Sequence, residues 1–312
     1  MKISVCTLAH GRQDHLRNLV KGLAHSHRPP CELVIAVMQQ EKYTLPDTSF
    51  PIRQVVLGST GIPLSAGRNA AARHARSDLL VFLDVDCIAH PALLDDYAAA
   101  AETHAGVLMG EVGYLPSGAT QNGIDYRHFE KTAVEHSERA GPPTASTALC
   151  RDYRCFWSLN FAISADDFRT TGGFDESFVG YGGEDTDFAR SVHAAGLPIW
   201  WVRGAKAYHQ YHPHHMPPVH HLESVIANAE RFRQKWGQPT MQHWLRAFTM
   251  MGLIERTEDG WRILREPGED DFALTRQQEH QPYASSAAVL AQLEEEAASA
   301  SAPVCEPRIA AV

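Results

Sequence analysis

The sequence predicts an α/β fold in which a mainly parallel sheet is flanked by helices. Short apolar segments of strand length alternate with amphipathic helical segments along the first hundred residues. The apolar segments are rich in Val, Ile and Leu without polar alternation, a pattern typical of parallel strands buried on both faces. An acidic pair follows the fourth of these segments, at the carboxyl edge where such sheets bind ligands.

The elements of the amino-terminal part follow from these patterns. ISVCTLA is a continuous apolar strand, and the next segment, HGRQDHLRNLVKGLAHS, has its apolar residues at helical spacing. CELVIAVMQ, IRQVVLG and DLLVFLDVD are the following strands, and the Ala-rich segment SAGRNAAARHAR is the helix between the last two.

Beyond residue 90 the pattern is weaker but still predicts elements. We expect helices at 91–104, 185–196 and 222–237, strands at 107–114 and from 198 into a His-rich loop, a loop at 137–146, and a short strand with a helix start at 156–177. The chain then divides into a catalytic domain at 1–235, a helical or loop extension at 236–280, and an acidic, Ala-rich flexible tail at 281–312 with one or two helical turns.

Composition excludes several classes of function. The 312 residues carry a formal net charge of −9 without a Lys/Arg block, which argues against a nucleic-acid partner. None of the six cysteines forms a CxxC pair, so a structural zinc site is not expected. No segment has the length of a signal peptide core or a transmembrane span, and we therefore expect a cytoplasmic protein.

Asp84 and Asp86 form the first candidate site, in VFLDVDC at the end of the fourth strand. Two carboxylates at this spacing can hold Mg²⁺ or Mn²⁺ carrying a diphosphate, because hard cations prefer oxygen ligands. A strand-ending turn with solvated acids is the simpler interpretation of a lone DxD, but the preceding apolar strand favours the ligand edge of the sheet.

A second acidic group, Glu184, Asp185 and Asp187, follows the glycine-rich stretch FVGYGG. A carboxylate at a helix amino terminus is placed to act as a base. The alternative is that these acids only complement the helix dipole. Capping alone requires no run such as Gly180, Gly182 and Gly183, which favours the functional interpretation.

Six of the 18 histidines lie between residues 209 and 221. His209 and His212 follow a strand directly, and one of them could complete a metal shell begun by Asp86. We expect the remaining four to lie in a solvated loop. Trp157, with Asn160 nearby in CFWSLNF, could form a stacking platform and polar neighbour for a sugar ring, although an aromatic residue here could equally belong to the core.

These motifs, in this order, resemble a family-2-type nucleotide-sugar glycosyltransferase of the GT-A fold, in the subgroup with a galactosyltransferase-like carboxyl-terminal motif. The matching stretches are ISVCTLAHGRQDHL, LSAGRNAAARHARSDLLVFLDVD, GGFDESFVGYGGEDTDFARSVHAAG and the histidine after the next strand, and they cover residues 1–235. The resemblance implies a metal-dependent, inverting enzyme of the hexosyltransferase class. Its partners would be a nucleotide-sugar donor, expected to be a UDP-sugar, and a glycan, lipid-linked or small-molecule acceptor.

The resemblance also implies roles for individual residues. Asp185 would be the general base, and Glu184 would bind the acceptor together with Trp157, Asn160 and Gly183. The metal, Mn²⁺ or Mg²⁺, would bind Asp86 and His209. The residues implied at the nucleotide-sugar site are Leu8, Ala9, Arg12, Gln39, Arg68, Asn69, Asp84 and Asp86.

One departure concerns the donor base. Many relatives carry an aspartate after the second strand, whereas this chain has Met38, Gln39 and Gln40. The amide of Gln39 can still contact a pyrimidine edge.

Three other functions are alternatives to a glycosyltransferase. A nucleotidyltransferase would carry a Gly-rich basic loop after the first strand, where this chain has TLAHGRQDH. A non-catalytic nucleotide- or glycan-binding module would not need Asp86, Asp185 and His209 together. A His-rich metal-storage or hydrolytic protein would leave both acidic motifs unexplained.

Overall fold

The computed structural model describes residues 1–58, 62–137, 139, 143–276 and 285–301. The strands are β1 (Ile3–Ala9), β2 (Glu32–Val37), β3 (Ile52–Val56), β4 (Leu79–Leu83), β5 (Cys87–Ala89), β6 (Val107–Met109), β7 (Val112–Tyr114), β8 (Thr147–Cys150), β9 (Asn160–Ser164), β10 (Ile199–Val202), β11 (Ala207–His209), β12 (Ile254–Thr257) and β13 (Gly260–Ile263). The α-helices are α1 (Gln13–Ala24), α2 (Leu64–His74), α3 (Leu93–Ala101), α4 (Tyr126–Thr132), α5 (Ala165–Thr171), α6 (Glu184–Ala194), α7 (Leu222–Trp236), α8 (Gln242–Met250), α9 (Glu269–Thr275) and α10 (Ser286–Ser301).

The chain forms two compact units. The first comprises Met1–His212 and Glu223–Thr240, and the second comprises Pro213–Leu222 and the described residues from Met241 onward. The predicted domain boundaries at 235 and 280 stay predictions.

The first unit is built on an eight-stranded sheet with the order β3-β2-β1-β4-β9-β6-β10-β8. Strands β3, β2, β1 and β4 are parallel neighbours, and β6 is parallel to β10. Strand β9 is antiparallel to both β4 and β6, and β8 is antiparallel to β10. The α/β prediction is confirmed, with a parallel half that holds β1 and β4 side by side.

The central strands are buried because their apolar side chains project from both faces of the sheet and pack against a core on each side. All seven residues of β1 are buried. Val5 packs into one hydrophobic cluster with α1, and its neighbour Cys6 packs into a second cluster with Phe82 and Phe161. Since successive strand residues point to opposite faces, the continuous apolar pattern requires a core on each side of the sheet.

A three-stranded sheet, ordered β5-β11-β7, places the candidate site residues beside one another. In its register His209 lies opposite Cys87 and Tyr114. The N–H of Gln210 also donates to the carbonyl of Asp86 at 2.7 Å. The histidine loop is therefore held against the end of the acidic motif by strand pairing.

Two predicted strands are wrong in extent. The segment 107–114 forms β6 and β7, which belong to different sheets, and the segment after residue 198 forms β10 and β11. The chain changes sheet at Gly110, where a Cβ atom would lie 2.2 Å from the carbonyl oxygen of Ala205. The close approach of these two backbones requires glycine and interrupts the regular strand.

The second unit contains the β12–β13 hairpin and the helices α8, α9 and α10. The predicted one or two turns in the tail are instead a helix of 16 residues. Its Ser286 accepts a hydrogen bond from Trp244 Nε1 at 3.0 Å, so the helix is attached to α8. Among the helices of the described ranges, none combines the length and apolarity that crossing a bilayer requires.

Candidate active site

The first acidic motif forms a tight turn between β4 and β5. The N–H of Asp84 donates to the carbonyl oxygen of Leu159 at 3.0 Å. Within the turn, the N–H of Cys87 donates to the carbonyl oxygen of Asp84 at 2.9 Å. This turn ends the strand at the carboxyl edge of the parallel half, as predicted. The side chain of Asp84 is 31% exposed and that of Asp86 is 8% exposed.

Asp86 is surrounded by nitrogen-bearing side chains. Its Oδ1 lies 3.6 Å from His209 Nε2, its Oδ2 lies 3.4 Å from His212 Nε2, and the guanidinium of Arg12 forms an ion pair with Oδ2. Burial by itself opposes ionisation, but His209, His212 and Arg12 together hold the pKa of Asp86 well below its usual range. The carboxylate is therefore ionised in the fold.

This group can accept a divalent cation. One carboxylate oxygen of Asp86 and one ring nitrogen each from His209 and His212 lie within 4.8 Å of one another. A carboxylate with two imidazoles is a donor set that suits Mn²⁺ and other first-row metals better than Mg²⁺, which prefers oxygen alone. The sequence leaves open whether His209 or His212 is a metal ligand. In the structure, ring nitrogens of both histidines lie close enough to Asp86 to take part.

Arg68 lies between the two acidic motifs. Its Nη2 is 3.2 Å from Asp84 Oδ1, and its Nη1 is 3.9 Å from Glu184 Oε1 and 4.0 Å from Asp185 Oδ1. The side chain is only 4% exposed and stacks over Phe174, 5.2 Å from the ring centre. A single buried cation thus gathers three carboxylates from two distant motifs.

The carboxylates around Arg68 have perturbed acidities. Burial raises the pKa of Asp84 to about 6, against the opposing effect of Arg68 and with contributions from Asp86 and Asp185. Burial and the neighbouring Asp185 charge raise the pKa of Glu184 to about 7, although Arg68 again lowers it. Groups whose pKa values are raised by burial and by like charge are typical of functional sites.

The glycines before the second motif are required by the backbone. Gly180, Gly182 and Gly183 have φ angles of 80°, 95° and 86°, in the left-handed region that other residues avoid. The turn is held by α7, because Asn228 Nδ2 donates to the Gly182 carbonyl at 2.8 Å. A Cβ on Gly180 would lie 2.5 Å from Ser224 Cβ.

This turn delivers Asp185 and Glu184 to different environments at the start of α6. Asp185 Oδ2 accepts a hydrogen bond from the N–H of Ser158 at 2.9 Å, whereas its Oδ1 accepts none from the residues described here. The Asp185 side chain is 29% exposed and that of Glu184 is 9% exposed. Asp185 is therefore both oriented by the backbone and the more accessible of the two.

Asp187 has a structural role that the sequence does not reveal. It is 1% exposed, and its carboxylate accepts hydrogen bonds from Lys235 Nζ at 2.9 Å and from Trp236 Nε1 at 2.7 Å. Asp187 therefore anchors the start of α6 to the end of α7.

Three predicted site residues have side chains that are bound within the protein. Asn160 is fully buried and its amide is bonded to Tyr97, Glu111 and Ala205; its role as an acceptor contact stays a prediction. Asn69 binds Phe174 and Glu176 through its amide and thereby holds the loop before α6; its role at the donor site also stays a prediction. The Gln39 amide oxygen accepts hydrogen bonds from Gly11 and Tyr43, and a contact with the donor base stays a prediction.

The other predicted residues lie around the site. Leu8 and Ala9 are buried at the end of β1, where the Ala9 carbonyl accepts from Met38 at 2.9 Å. Arg12 has a φ of 47°, and its side chain reaches Asp86. Trp157 is half-buried and immediately precedes Ser158. The roles of these residues toward a ligand stay predictions.

Sequence reasoning missed two groups that organise the site. Ser158 contributes only a backbone N–H, which no residue type signals. Arg139 lies beside Trp157 and Trp201, with its guanidinium carbon 5.7 and 5.4 Å from their ring centres. It belongs to a segment whose composition predicts only a loop.

Two protein-family models match the chain over the segments that form this site. The sequence model described as "Glycosyl transferase family 2" matches residues 4–164, more than half of the chain, and includes the Asp84 and Asp86 motif. The chain belongs to glycosyl transferase family 2. A second model, "N-terminal domain of galactosyltransferase", matches residues 145–215 and includes the second acidic motif and His209. The resemblance inferred from the motifs is confirmed.

Several curated glycosyltransferases are similar in sequence. Validoxylamine A glucosyltransferase of Streptomyces hygroscopicus subsp. jinggangensis is 29% identical over 215 residues, which cover 59% of this chain and 47% of that protein. The uncharacterized glycosyltransferase YfnE of Bacillus subtilis is 25% identical over 283 residues, covering 73% of this chain and 69% of that protein. Chondroitin synthase of Escherichia coli is 26% identical over 49% of this chain and 26% of its own length. The chain thus spans about half the length, or less, of several curated relatives that it matches.

Solved glycosyltransferase structures share the fold. GalNAc-T7, in a complex with UDP, GalNAc and Mn²⁺, superimposes with a TM-score of 0.55 at 13% identity, covering 80% of this chain and 51% of that one. Staphylococcus aureus TarS 1-349, in a complex with UDP-GlcNAc, superimposes with a TM-score of 0.50 at 16% identity, covering 75% of this chain and 65% of that one. These neighbours support the GT-A architecture for this glycosyltransferase.

Proposed function

We propose that this glycosyltransferase moves a sugar from a nucleotide diphosphate donor to an acceptor hydroxyl, with inversion and with a requirement for Mn²⁺ or Mg²⁺. The donor is expected to be a UDP-sugar, and the acceptor a glycan, a lipid-linked molecule or a small molecule. The observation that carries the proposal is the contact of Arg68 with Asp84 on one side and with Glu184 and Asp185 on the other. This contact joins the first acidic motif, which is expected to bind the donor diphosphate through a metal, to the second acidic motif, which is expected to supply the base.

The resemblance supplies a role for each residue. Asp84, partly exposed beside Arg68, would contact the nucleoside, and Asp86, His209 and His212 would hold the metal. A bound divalent cation supplies charge stabilisation for a leaving diphosphate. In the protein itself, the Ser158 N–H holds one oxygen of Asp185.

The carboxylate of Asp185, whose side chain is 29% exposed, would take the proton from the acceptor hydroxyl. Glu184, adjacent in sequence but more buried, would bind or orient that acceptor. A base positioned opposite the leaving group implies a single displacement, which inverts the configuration at the transferred carbon. This assignment of base and leaving-group sides rests on the family resemblance.

The ligands of the structural neighbours indicate which compounds to test first. GalNAc-T7 binds UDP and Mn²⁺ in its structure, and TarS binds UDP-GlcNAc in its own.

One observation favours the alternative of a nucleotide-binding module without turnover. Arg12 forms an ion pair with Asp86, and a protein cation therefore already neutralises the carboxylate that would bind the metal.

Calorimetric titration of UDP with Mn²⁺ and with EDTA tests the proposal. We expect UDP to bind at least tenfold more tightly with Mn²⁺, and Asp86→Ala to abolish this difference in the folded protein. Asp95→Ala is the matched control, because Asp95 is an exposed carboxylate paired with Arg28 on the surface. Equal UDP affinity in Mn²⁺ and in EDTA would contradict the metal-dependent mechanism and favour the binding module.

A further inference from the structure

A polar cavity in the first unit has no role in the proposed reaction so far. Strands β7 and β10, helix α4 and the segment after α4 contribute to its wall. Its charged and aromatic lining residues are Glu111, Glu130, Glu135, His136, Arg139, Trp201 and Lys206.

One ion pair lies in the wall of this cavity. Lys206 Nζ is 2.9 Å from the Glu130 carboxylate. Glu111 Oε1 accepts a hydrogen bond from the N–H of Gly204 at 2.6 Å, and Glu135 is exposed to solvent.

Arg139 is different. Its Nη2 donates to the carbonyl of Gly110 at 3.0 Å, but its Nη1 is excluded from solvent and has no hydrogen-bond acceptor among the described residues. Within the same ranges no carboxylate lies at ion-pair distance from it. Its guanidinium instead lies against Trp157 and Trp201. A cation withdrawn from water without an anionic partner is costly, so this arrangement favours an anion supplied from outside the protein.

The position of Arg139 connects the cavity to the candidate base. Trp157, which Arg139 contacts, immediately precedes Ser158, and the Ser158 N–H holds Asp185 at 2.9 Å. The charge of Asp185 is also close enough to raise the pKa of Arg139, while burial has the larger and opposite effect. An acceptor whose hydroxyl reaches Asp185 can therefore extend toward Arg139.

We propose that Arg139 determines acceptor specificity by binding an anionic group, a carboxylate or a phosphate, on a sugar acceptor. The proposal rests on the proposed function, since it assigns the acceptor class of the same site. Arg139 would act through charge and hydrogen bonding, as guanidinium groups do with carboxylates and phosphates in general.

The test compares three probes that differ in charge: glucuronate, glucose 6-phosphate and glucose. Each is titrated by ligand-observed NMR into protein saturated with UDP and Mn²⁺. We expect one or both anionic probes to bind at least tenfold more tightly than glucose, and the stronger of the two identifies carboxylate or phosphate as the group. Arg139→Gln should remove the preference, and Arg139→Lys should keep part of it because the charge remains.

Arg203→Gln is the matched control. Arg203 is an exposed arginine near the same segment, bonded to the carbonyl of Thr144 at 2.9 Å, and its replacement should leave the preference unchanged. Equal binding of the three probes to the wild-type protein would overturn the inference, as would an equal loss of preference in both Gln variants. A specific loss of UDP affinity in Arg139→Gln would also overturn it, by assigning Arg139 to the donor.

A failure of this inference can be distinguished from a failure of the proposed function. UDP binding is measured first in the same samples, and its absence contradicts the proposed function alone. The three probes are then titrated into the protein without nucleotide, where a preference for anions that depends on Arg139 supports this inference and its absence overturns it.

Discussion

Arg68 Nη2 lies 3.2 Å from Asp84 Oδ1, in a contact that joins helix α2 to the end of strand β4. The same guanidinium approaches Glu184 and Asp185 within 4.0 Å. Three carboxylates gathered in a buried site repel one another, and Arg68 is the cation that offsets this repulsion. Burial opposes its charge, but the three acids together raise the pKa of Arg68.

Replacing Arg68 should therefore destabilise the fold strongly. Arg68→Met keeps the apolar stem and leaves buried carboxylates unpaired, which typically costs about 3–5 kcal/mol. Urea unfolding at pH 7 measures the loss. Arg73→Met is the matched control on the same helix, because Arg73 pairs with Glu176 at 2.9 Å but is 60% exposed. We expect the control to cost less than about 1 kcal/mol, and similar losses in both variants would contradict the bridging role.

Glu184 should make stability depend on pH. Its pKa is raised from 4.5 to about 7 in the fold, so between these values the native state binds more protons than the unfolded state. Stability contributed by this group is then present at low pH and is lost as pH rises through 7. Glu184→Gln cannot ionise and should gain roughly 3 kcal/mol relative to wild type between pH 4.5 and 8. Melting curves in EDTA measure this difference, and parallel curves for the two proteins would contradict the buried, raised pKa.

Asp187→Asn should cost stability in spite of its small change in size. The substitution removes the charge that pairs with Lys235 and presents an amide group to two hydrogen-bond donors, Lys235 Nζ and Trp236 Nε1. We expect a loss of about 2–4 kcal/mol by chemical denaturation. Asp175→Asn is the control, since Asp175 shares Lys235 but its side chain is 30% exposed. If Asp187→Asn is as stable as wild type, the anchoring of α6 to α7 contributes little.

The fold could be predicted from the sequence where its signals are local. Strands β1, β2 and β4 are almost entirely apolar, and the helices α1 and α2 between the strands of this half favour parallel pairing. The change of sheet at Gly110 could not be predicted, because the backbone that excludes a Cβ belongs to Ala205, almost a hundred residues away. The same limit applies to the antiparallel pairing of β9, which depends on long-range register.

For the site, charged motifs were predictable and amide orientations were not. Asp84, Asp86, Glu184 and Asp185 could be singled out because charged side chains after a strand end or a glycine turn are visible in the sequence, and in the structure Arg68 or His209 lies close to each of them. Whether an asparagine faces a ligand or a carbonyl depends on the surrounding chain. Asn160 is an example, since its three partners come from separate segments of the sequence.

The carboxyl-terminal helix should stabilise the second unit. Trp244 Nε1 donates to Ser286 at 3.0 Å, Arg246 pairs with Glu294 at 2.7 Å, and Val289 is buried. A chain ending at residue 283 should therefore show a lower melting temperature, or a separate early transition, by calorimetry. Mn²⁺ affinity should not change, because Asp86, His209 and His212 all lie in the first unit. Equal melting of the shortened chain and the wild type would contradict a structural role for α10.

Asp185→Asn is the most direct test of the proposed chemistry. The variant keeps the size of the side chain and an oxygen that can accept from the Ser158 N–H, but it cannot take a proton. We expect kcat to fall by about 10²–10⁴-fold, the usual contribution of a general base, while UDP affinity in Mn²⁺ stays within about twofold of wild type. Glu184→Gln should instead raise the acceptor KM, because its side chain is 9% exposed and its proposed role is to bind the acceptor. Initial rates with saturating donor and varied acceptor separate these effects. An Asp185→Asn protein that turns over at the wild-type rate would remove Asp185 as the base, and the left-handed glycines before α6 would then serve only to start the helix.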